Sequence, residues 1–450
     1  MSSNSVTLTA REHVFPLFIK YVSSNVLGMI GYSCYILADT FFVARGIGSD
    51  AIAALNLVLP AFSLLNGTGL MIGMGAAARY SLSSGRADSE IHRTIFTQAL
   101  QLAFVAMLFF FSIGLFFARP LCVLLGADET TLPHAIPYIR ILLMFSPLFL
   151  CNNLLNCFVR NDGEPRLSMT AMLVGSLTNI VLDIAFVIGL HMGVAGAALA
   201  TILSQALSAV LVLWVLMRTK DMHRLELRKI RFDGRMFHRI IRIGLPAGLQ
   251  SVMYTSSNIL IQSSVNALGT DTVAAWTAYS KIDSLFWMIV NAFGISITTF
   301  VGQNYGAGKM DRVHKGVRTC MEITAGATVL LSVILYNYAS ICYQLFTTDA
   351  QVVVIGEQIL HFLVPTYFTY IAIEILSGTL RGIGDSWLPM IICCLGICVL
   401  RVVWILTAVP LKNDILTIVF SYPLTWTVTS IAFIVYYVFF SRLKTVGRKR

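Results

Sequence analysis

Twelve apolar runs, each long enough to cross a bilayer as a helix, leave this chain few other ways to fold. They fall at about 14–44, 51–78, 95–118, 135–159, 167–190 and 194–217, then at about 237–268, 272–301, 317–346, 352–380, 387–410 and 415–440. Lipid offers no partner to a bare N–H or C=O, so each run has to satisfy its backbone internally, as a helix. Composition agrees: 57% of the 450 residues are hydrophobic and 12% charged, where soluble chains carry about 25% charged residues. The one long hydrophilic stretch between runs, RTKDMHRLELRKIRFDGR from Arg218 to Arg235, separates the sixth run from the seventh. The expected architecture is an all-α integral membrane protein, with a six-helix bundle over 1–217, a basic linker over 218–236 and a second six-helix bundle over 237–450.

The two halves read as copies. At a constant offset of 221, Gly48, Asp50, Ala53 and Ala54 match Gly269, Asp271, Ala274 and Ala275, and Gly85 matches Gly306. The same offset pairs Arg160, Gly163, Leu167 and Met169 with Arg381, Gly384, Leu388 and Met390. An even number of spans per half makes this a parallel repeat about an axis along the membrane normal. Of the 32 Lys and Arg, 25 fall on one side of the spans, in both tails, the linker and the loops after spans two, four, eight and ten. Arg45, Arg119, Arg140 and Lys412 lie on or near the other side. Positive charge stays inside, so both termini and the linker are expected in the cytoplasm of a multi-pass cell-membrane protein.

Polar residues inside such spans need a reason. In span one, Asn25, Gly28, Tyr32, Tyr35 and Asp39 recur every three or four residues and put a polar, aromatic stripe ending in a carboxylate on one helix face. An ionisable group at membrane depth faces a bundle interior or a watery cavity; the blander reading of Asp39 is a cap at the helix end. Span five carries Ser176, Asn179 and Asp183 at the same spacing, and span six offers Thr201, Ser204, Gln205 and Ser208. These are all oxygen donors, suited to a proton or a hard monovalent cation, and the alternative is interhelical hydrogen bonding. Glycines around span two, Gly67, Gly69, Gly73 and Gly75 among them, read as points of close helix approach.

The second half differs. Span eight places Trp276, Tyr279, Asp283, Trp287 and Asn291 along one face, with Lys281 on an adjoining one. Span seven adds Gln250, Tyr254, Ser257 and Asn258, and span ten adds Tyr367, Tyr370, Glu374 and Ser377. Aromatic faces around a few carboxylates suit flat, greasy cations, whereas a single Tyr or Trp is more often an interfacial anchor. Arg401 in span eleven and Lys20 in span one either neutralise partners or snorkel.

Several classes are set aside. The net charge of +10 is spread over short loops, as membrane topology requires, and does not point to nucleic acid. Nine cysteines, mostly inside spans, make no disulfide framework. The polar start MSSNSVTLTAREH does not have the form of a cleaved signal peptide. No phosphate loop, HExxH, paired CxxC or nucleophile elbow occurs, and no DDxxD pair of the kind a membrane prenyl transferase uses to hold Mg2+, so an enzyme is not expected.

Asp39, NIVLD from Asn179 to Asp183, RNDGEPRLSM from Arg160, FVGQNYGAGKMDRV from Phe300 and RGIGDSWLPM from Arg381 together resemble the multidrug and toxic compound extrusion (MATE) family, over nearly the whole chain. The resemblance implies a V-shaped pair of six-helix bundles that alternates access and exports xenobiotic organic cations, antibiotics included, against an inward H+ or Na+ gradient. It maps Asp39, Asn179, Asp183 and Thr201 onto the coupling-ion cluster of the first bundle, which would also be the site for any Na+. Span seven lacks the acid that one branch places there, so the sequence looks closer to DinF-like and MepA-like exporters. It departs from the DinF-like pattern in having Ser24 and Asn25 where a proline would stand midway along span one. The expected substrate cavity is lined by Tyr32, Tyr35, Tyr254, Trp276, Tyr279, Lys281, Asp283, Trp287, Tyr370 and Glu374. Expected partners are small cations and lipid, with no cofactor beyond the coupling ion, and the expected state is a monomer. The alternative is a flippase for a lipid-linked oligosaccharide or related lipid, which needs a strongly cationic cavity to hold a diphosphate; Lys281 and Arg401 are the candidates for that.

Overall fold

The computed structural model describes residues 14–46, 49–84, 89–161, 165–218, 233–347, 349–440 and 443. Among them there is no strand; the chain is all-α. The linker from 219 to 232 lies outside the described residues, as do both tails but for Leu443.

The described chain forms two compact units. Among the described residues, the first holds those from 23 to 248 and the second those from 14 to 22 and from 249 to 443. Helix α1 (Val14–Gly46) therefore contributes its opening turns to the second unit, where Phe18 packs on Phe300 with ring centroids 5.1 Å apart.

In the first unit α2 (Ser49–Ser84) lies against α6 (Ser146–Asn161), and α7 (Pro165–Asp183) against α8 (Gly193–Arg218). The contacts are close because the residues are small: a Cβ on Gly73 would stand 2.9 Å from the Cys157 sulfur, and one on Gly69 2.9 Å from the Asn153 amide nitrogen. This is the packing expected of glycines in a membrane bundle. The α3 helix (Ser89–Phe116) turns Ile95, Ala99 and Ala103 inward and leaves Phe104, Val105, Leu108 and Phe109 exposed, as a lipid-facing surface would. Short α4 (Ala118–Leu124) leads to α5 (Leu132–Met144), which meets α6 at a 54° bend, so the fourth apolar run is not one straight helix. Before α5, Asp128 accepts hydrogen bonds from the side chains and backbone N–H groups of Thr130 and Thr131. Those bonds, led by the Thr131 hydroxyl, lower its carboxyl from an ordinary 3.8 to about 2.

In the second unit the 37-residue α10 (Thr270–Gly306) is the central post. It packs on α11 (Met310–Asn337), α13 (Ala350–Leu363) and α14 (Ile371–Gly382), with short α12 (Ala339–Gln344) between α11 and α13. A 3₁₀ stretch over Val364–Tyr370 links α13 to α14. Next come α15 (Trp387–Cys393), a π-helical turn over Cys394–Val399 and α16 (Leu400–Thr407); α17 (Ile415–Val419), α18 (Ser421–Val435) and a second π-helical turn over Tyr436–Phe440 follow. Two repeated glycines have a conformational reason. Gly269 opens α10 at φ +103° and Gly384 sits at φ +87° in RGIGD, left-handed values that a side chain would strain.

Among the described residues, ten helical segments have the length and apolarity to cross a membrane, and the bent pair α5–α6 gives an eleventh. The remaining run, 237–268, is α9 (Gly234–Asn266). It is long enough at 33 residues but more polar than the rest. Several of its hydroxyls are satisfied within the helix, since Thr255, Ser256 and Ser264 each donate to the carbonyl four residues back. The chain is a multi-pass membrane protein.

Candidate functional site

Each unit encloses a cavity, and the two differ in chemistry. The cavity of the second unit, about 500 Å³, is walled by α9, α10, Tyr370, α16 and α18. Its lining includes Tyr254, Trp276, Tyr279, Trp287, Tyr370, Tyr422 and Trp426, a nearly continuous aromatic wall. Trp276 stacks on Tyr279 at 5.0 Å and 25°, and Trp287 meets Tyr370 edge-on at 4.7 Å. Such geometries hold rings in place and leave π faces for a ligand.

One carboxylate is set into that wall. Asp283 is only 9% exposed and accepts from the Tyr367 hydroxyl and from the Trp287 indole N–H, each at 2.7 Å. Tyr367 in turn lies 3.3 Å, oxygen to oxygen, from Tyr279 and stacks on Phe286 at 4.1 Å. Each carboxylate oxygen thus has one fixed donor, and lone pairs remain for a cation in the cavity. Arg401, also on the lining and 3% exposed, lies over the Tyr422 ring at 4.2 Å and donates to Asn258 Oδ1 at 3.2 Å.

Six of the expected cavity residues come together here: Tyr254, Trp276, Tyr279, Asp283, Trp287 and Tyr370. Two do not. Lys281 is exposed and off the lining, because two residues along a helix from Asp283 is nearly the opposite face. Glu374 also lies off the lining; it pairs with Arg381 at 3.5 Å, and Tyr370 donates to it at 3.5 Å. Glu374 stands one α-turn past Tyr370, and its carboxyl packs against Gly294 of α10 and is taken by these two partners rather than by the cavity. Tyr422, Trp426 and Gln262 escaped notice in the sequence. Tyr422 and Trp426 stand four apart in span twelve, a helical spacing that was readable.

In the first unit, Asn179, Asp183 and Thr201 are at most 3% exposed. The Asn179 amide reaches Thr201 Oγ1 at 3.5 Å across the α7–α8 contact, and Asp183 stands one turn further along α7. Asn179 Oδ1 is buried with no hydrogen-bond partner, an acceptor well suited to a cation. Just past Asp183 the helix changes to a π turn over Ile184–Gly189, a distortion common at functional sites. Tyr32, Tyr35 and Asp39 fall on α1, and their side chains lie outside the described residues.

The first unit's cavity, about 210 Å³, is polar; Gln205, Ser176, Ser204 and Ser208, expected from the sequence, line it beside four amides that were not, Asn66, Asn152, Asn153 and Asn156. Asn153 donates to Asn66 at 3.0 Å, Asn156 to Asn152 at 2.8 Å, and Asn152 to Gln205. Its signal was CNNLLN from Cys151 to Asn156, three amides inside an otherwise apolar run.

Comparison with known proteins bears on the family and the fold. The MatE family model matches residues 25–185 and 246–407. The chain is 26% identical over 440 residues to "Probable multidrug resistance protein YoeA" of Bacillus subtilis, covering 96% of this chain and 94% of that one. It is 27% identical over 336 residues to "FAD transporter" of Shewanella oneidensis, covering 73% of each. A solved outward-facing multidrug resistance MATE family transporter superposes over 100% of both chains with a TM-score of 0.92 at 22% identity, a likeness of fold.

Proposed function

Given that the chain belongs to the MatE family, whose members are transporters and not enzymes, we propose that it exports amphipathic aromatic cations in exchange for H+ or Na+. The observation that carries this reading is the buried Asp283 carboxylate set in a wall of Trp and Tyr. A flat cation gains from ring faces and from a carboxylate whose donors are already fixed. The Bacillus subtilis relative, named for multidrug resistance, supports a broad range of such molecules.

Coupling is assigned to the first unit. Asn179, Asp183 and Thr201, with Asp39 added from its place in the sequence, would make an all-oxygen set, and the unpartnered Asn179 acceptor fits an arriving cation. An ion drives transport only by binding two states of the protein differently. Occupancy of this set is the event that biases the cycle. The protein acts as a monomer in the cell membrane, with the linker and both termini in the cytoplasm; the bias of Lys and Arg supports that orientation.

A flippase would need several cations to hold a diphosphate, and the cavity wall carries one guanidinium beside one carboxylate. By the same count, a dinucleotide such as the one the Shewanella oneidensis relative is named for would leave phosphate charge unpaired. The test is ethidium transport in inverted membrane vesicles with H+ and Na+ gradients imposed separately, for wild type and Asp39→Asn. Movement driven by one gradient and lost in the variant is expected. Wild-type rates in Asp39→Asn would remove the coupling assignment, and no movement under either gradient would remove the export reading.

A further inference from the structure

Arg401 is the polar group in the second unit's cavity that the export of cations does not use. It is 3% exposed, and a guanidinium carries five N–H donors. One bond, to Asn258 Oδ1 at 3.2 Å, and the face of Tyr422 are its partners; its Nε is buried with none. No acidic side chain among the described residues lies within ion-pair distance of it. Asp283 in the same wall is better satisfied, with a 2.7 Å donor on each oxygen. The unmet demand in this cavity is therefore for an anion.

The backbone supports a placed residue rather than an accidental one. The π-helical turn over Cys394–Val399 ends two residues before Arg401, and its wider winding re-aims the side chains that follow. Asn258 Oδ1 holds one terminal nitrogen and the Tyr422 ring one face of the guanidinium, which leaves the other terminal NH2 as the donor for an acceptor oxygen in the cavity.

We infer that Arg401 recognises an anionic group, and that the molecule taken up here is a flat aromatic zwitterion whose carboxylate, sulfonate or phosphate sits on Arg401 while its cation sits toward Asp283. This rests on the export reading above and narrows its substrate class. Both charges of such a ligand meet opposite charge in one aromatic chamber, so neither buried protein charge stays uncompensated while the site is loaded. A simple cation would leave the guanidinium as it is and bring a second positive charge near it.

The test uses a xanthylium dye as its free acid and as its methyl ester, which share the ring system and the cation and differ in the anionic group. Binding of each to the purified full chain in detergent is followed by fluorescence anisotropy for wild type, Arg401→Gln and Arg401→Lys. The expected result is that the acid's affinity falls about ten- to a hundredfold more than the ester's in Arg401→Gln, the range for a hydrogen bond to a charged group. Arg401→Lys restores part of the preference, since it keeps the charge without the fork. Equal losses for both dyes, which a purely structural tie between α9 and α16 would produce, overturn the inference, as does failure of the acid to bind wild type better than the ester. Dye movement in vesicles reads the export proposal separately. Discrimination in binding without transport leaves Arg401's role standing and removes the exporter; transport without discrimination does the reverse.

Discussion

Replacing Asp283 by Asn separates the charge of the second unit's cavity from its shape. The carboxylate accepts from Tyr367 and Trp287 at 2.7 Å each. An amide has one carbonyl oxygen, and the indole can only donate, so that oxygen turns to Trp287 and the NH2 faces Tyr367. The Tyr367 hydroxyl can then reverse and give its proton to Tyr279, 3.3 Å away. Every polar group keeps a partner, and the loss of stability is that of exchanging charged for neutral hydrogen bonds, about 1 kcal/mol. The cost to a bound cation is larger. At ~5 Å and an effective dielectric near 20, a unit charge gains about 3 kcal/mol from the carboxylate; desolvation trims this to about 1–3 kcal/mol, or roughly five- to a hundredfold in affinity. Binding of an aromatic cation and of an uncharged aromatic of the same outline is measured by quenching of Trp fluorescence, beside a thermal melt. The cation is expected to weaken by that factor, the neutral molecule by less than about threefold, and the melt to move little. Equal weakening of both ligands would refute the electrostatic role of Asp283.

Other expectations follow from packing and charge. Gly244→Ala would drive a methyl onto the Met71 carbonyl oxygen, with the Met71 carbonyl carbon 3.0 Å away, so α2 and α9 must separate. Backbone cannot yield as a side chain does, and a loss of about 1–3 kcal/mol is expected in a detergent melt, with Gly67→Ala, which meets nothing within 4 Å, as the neutral control. Lys281→Ala should leave the profile of exported compounds unchanged across a panel of cations, because Lys281 is exposed and off the cavity wall. Breaking the Glu374–Arg381 pair with Glu374→Ala leaves Arg381 half-buried without its carboxylate. A loss of about 3 kcal/mol is expected, and a melt within error of wild type would show the pair to be screened. Asp128 has its carboxyl lowered to about 2, so its contribution to the turn before α5 is complete above pH 3.8 and is lost as pH falls toward 2. Carboxyl NMR of the full chain should show that titration, and a value near 3.8 would mean the Thr130 and Thr131 bonds do not persist.

Apolar runs of spanning length, with one hydrophilic gap, dictated helices, because bilayer lipid leaves no other way to satisfy the backbone. Helical periodicity carried site information wherever the helix is regular. Trp276, Tyr279, Asp283 and Trp287 recur every three or four residues on α10, and all four reach the cavity wall. The same rule, applied strictly, puts Lys281 off that face, where it lies.

What only the tertiary structure decided lies where the winding changes or where two helices must meet. Glu374 keeps its helical spacing from Tyr370 but gives its carboxyl to Arg381 against Gly294, and the π turn over Cys394–Val399 aims Arg401; neither is visible to a constant period of 3.6 residues. Asn258 and Arg401 are 143 residues apart in sequence, and Tyr367 and Asp283 are 84 apart; no local spacing could pair them. The amides of CNNLLN were legible as polar residues in lipid, but not that they would join Asn66 and Gln205 around a second chamber. Sequence fixes which face of a regular helix is polar, because that is set by the chain's own geometry. Which partner that face meets is set by how the helices pack, and packing depends on all of them at once.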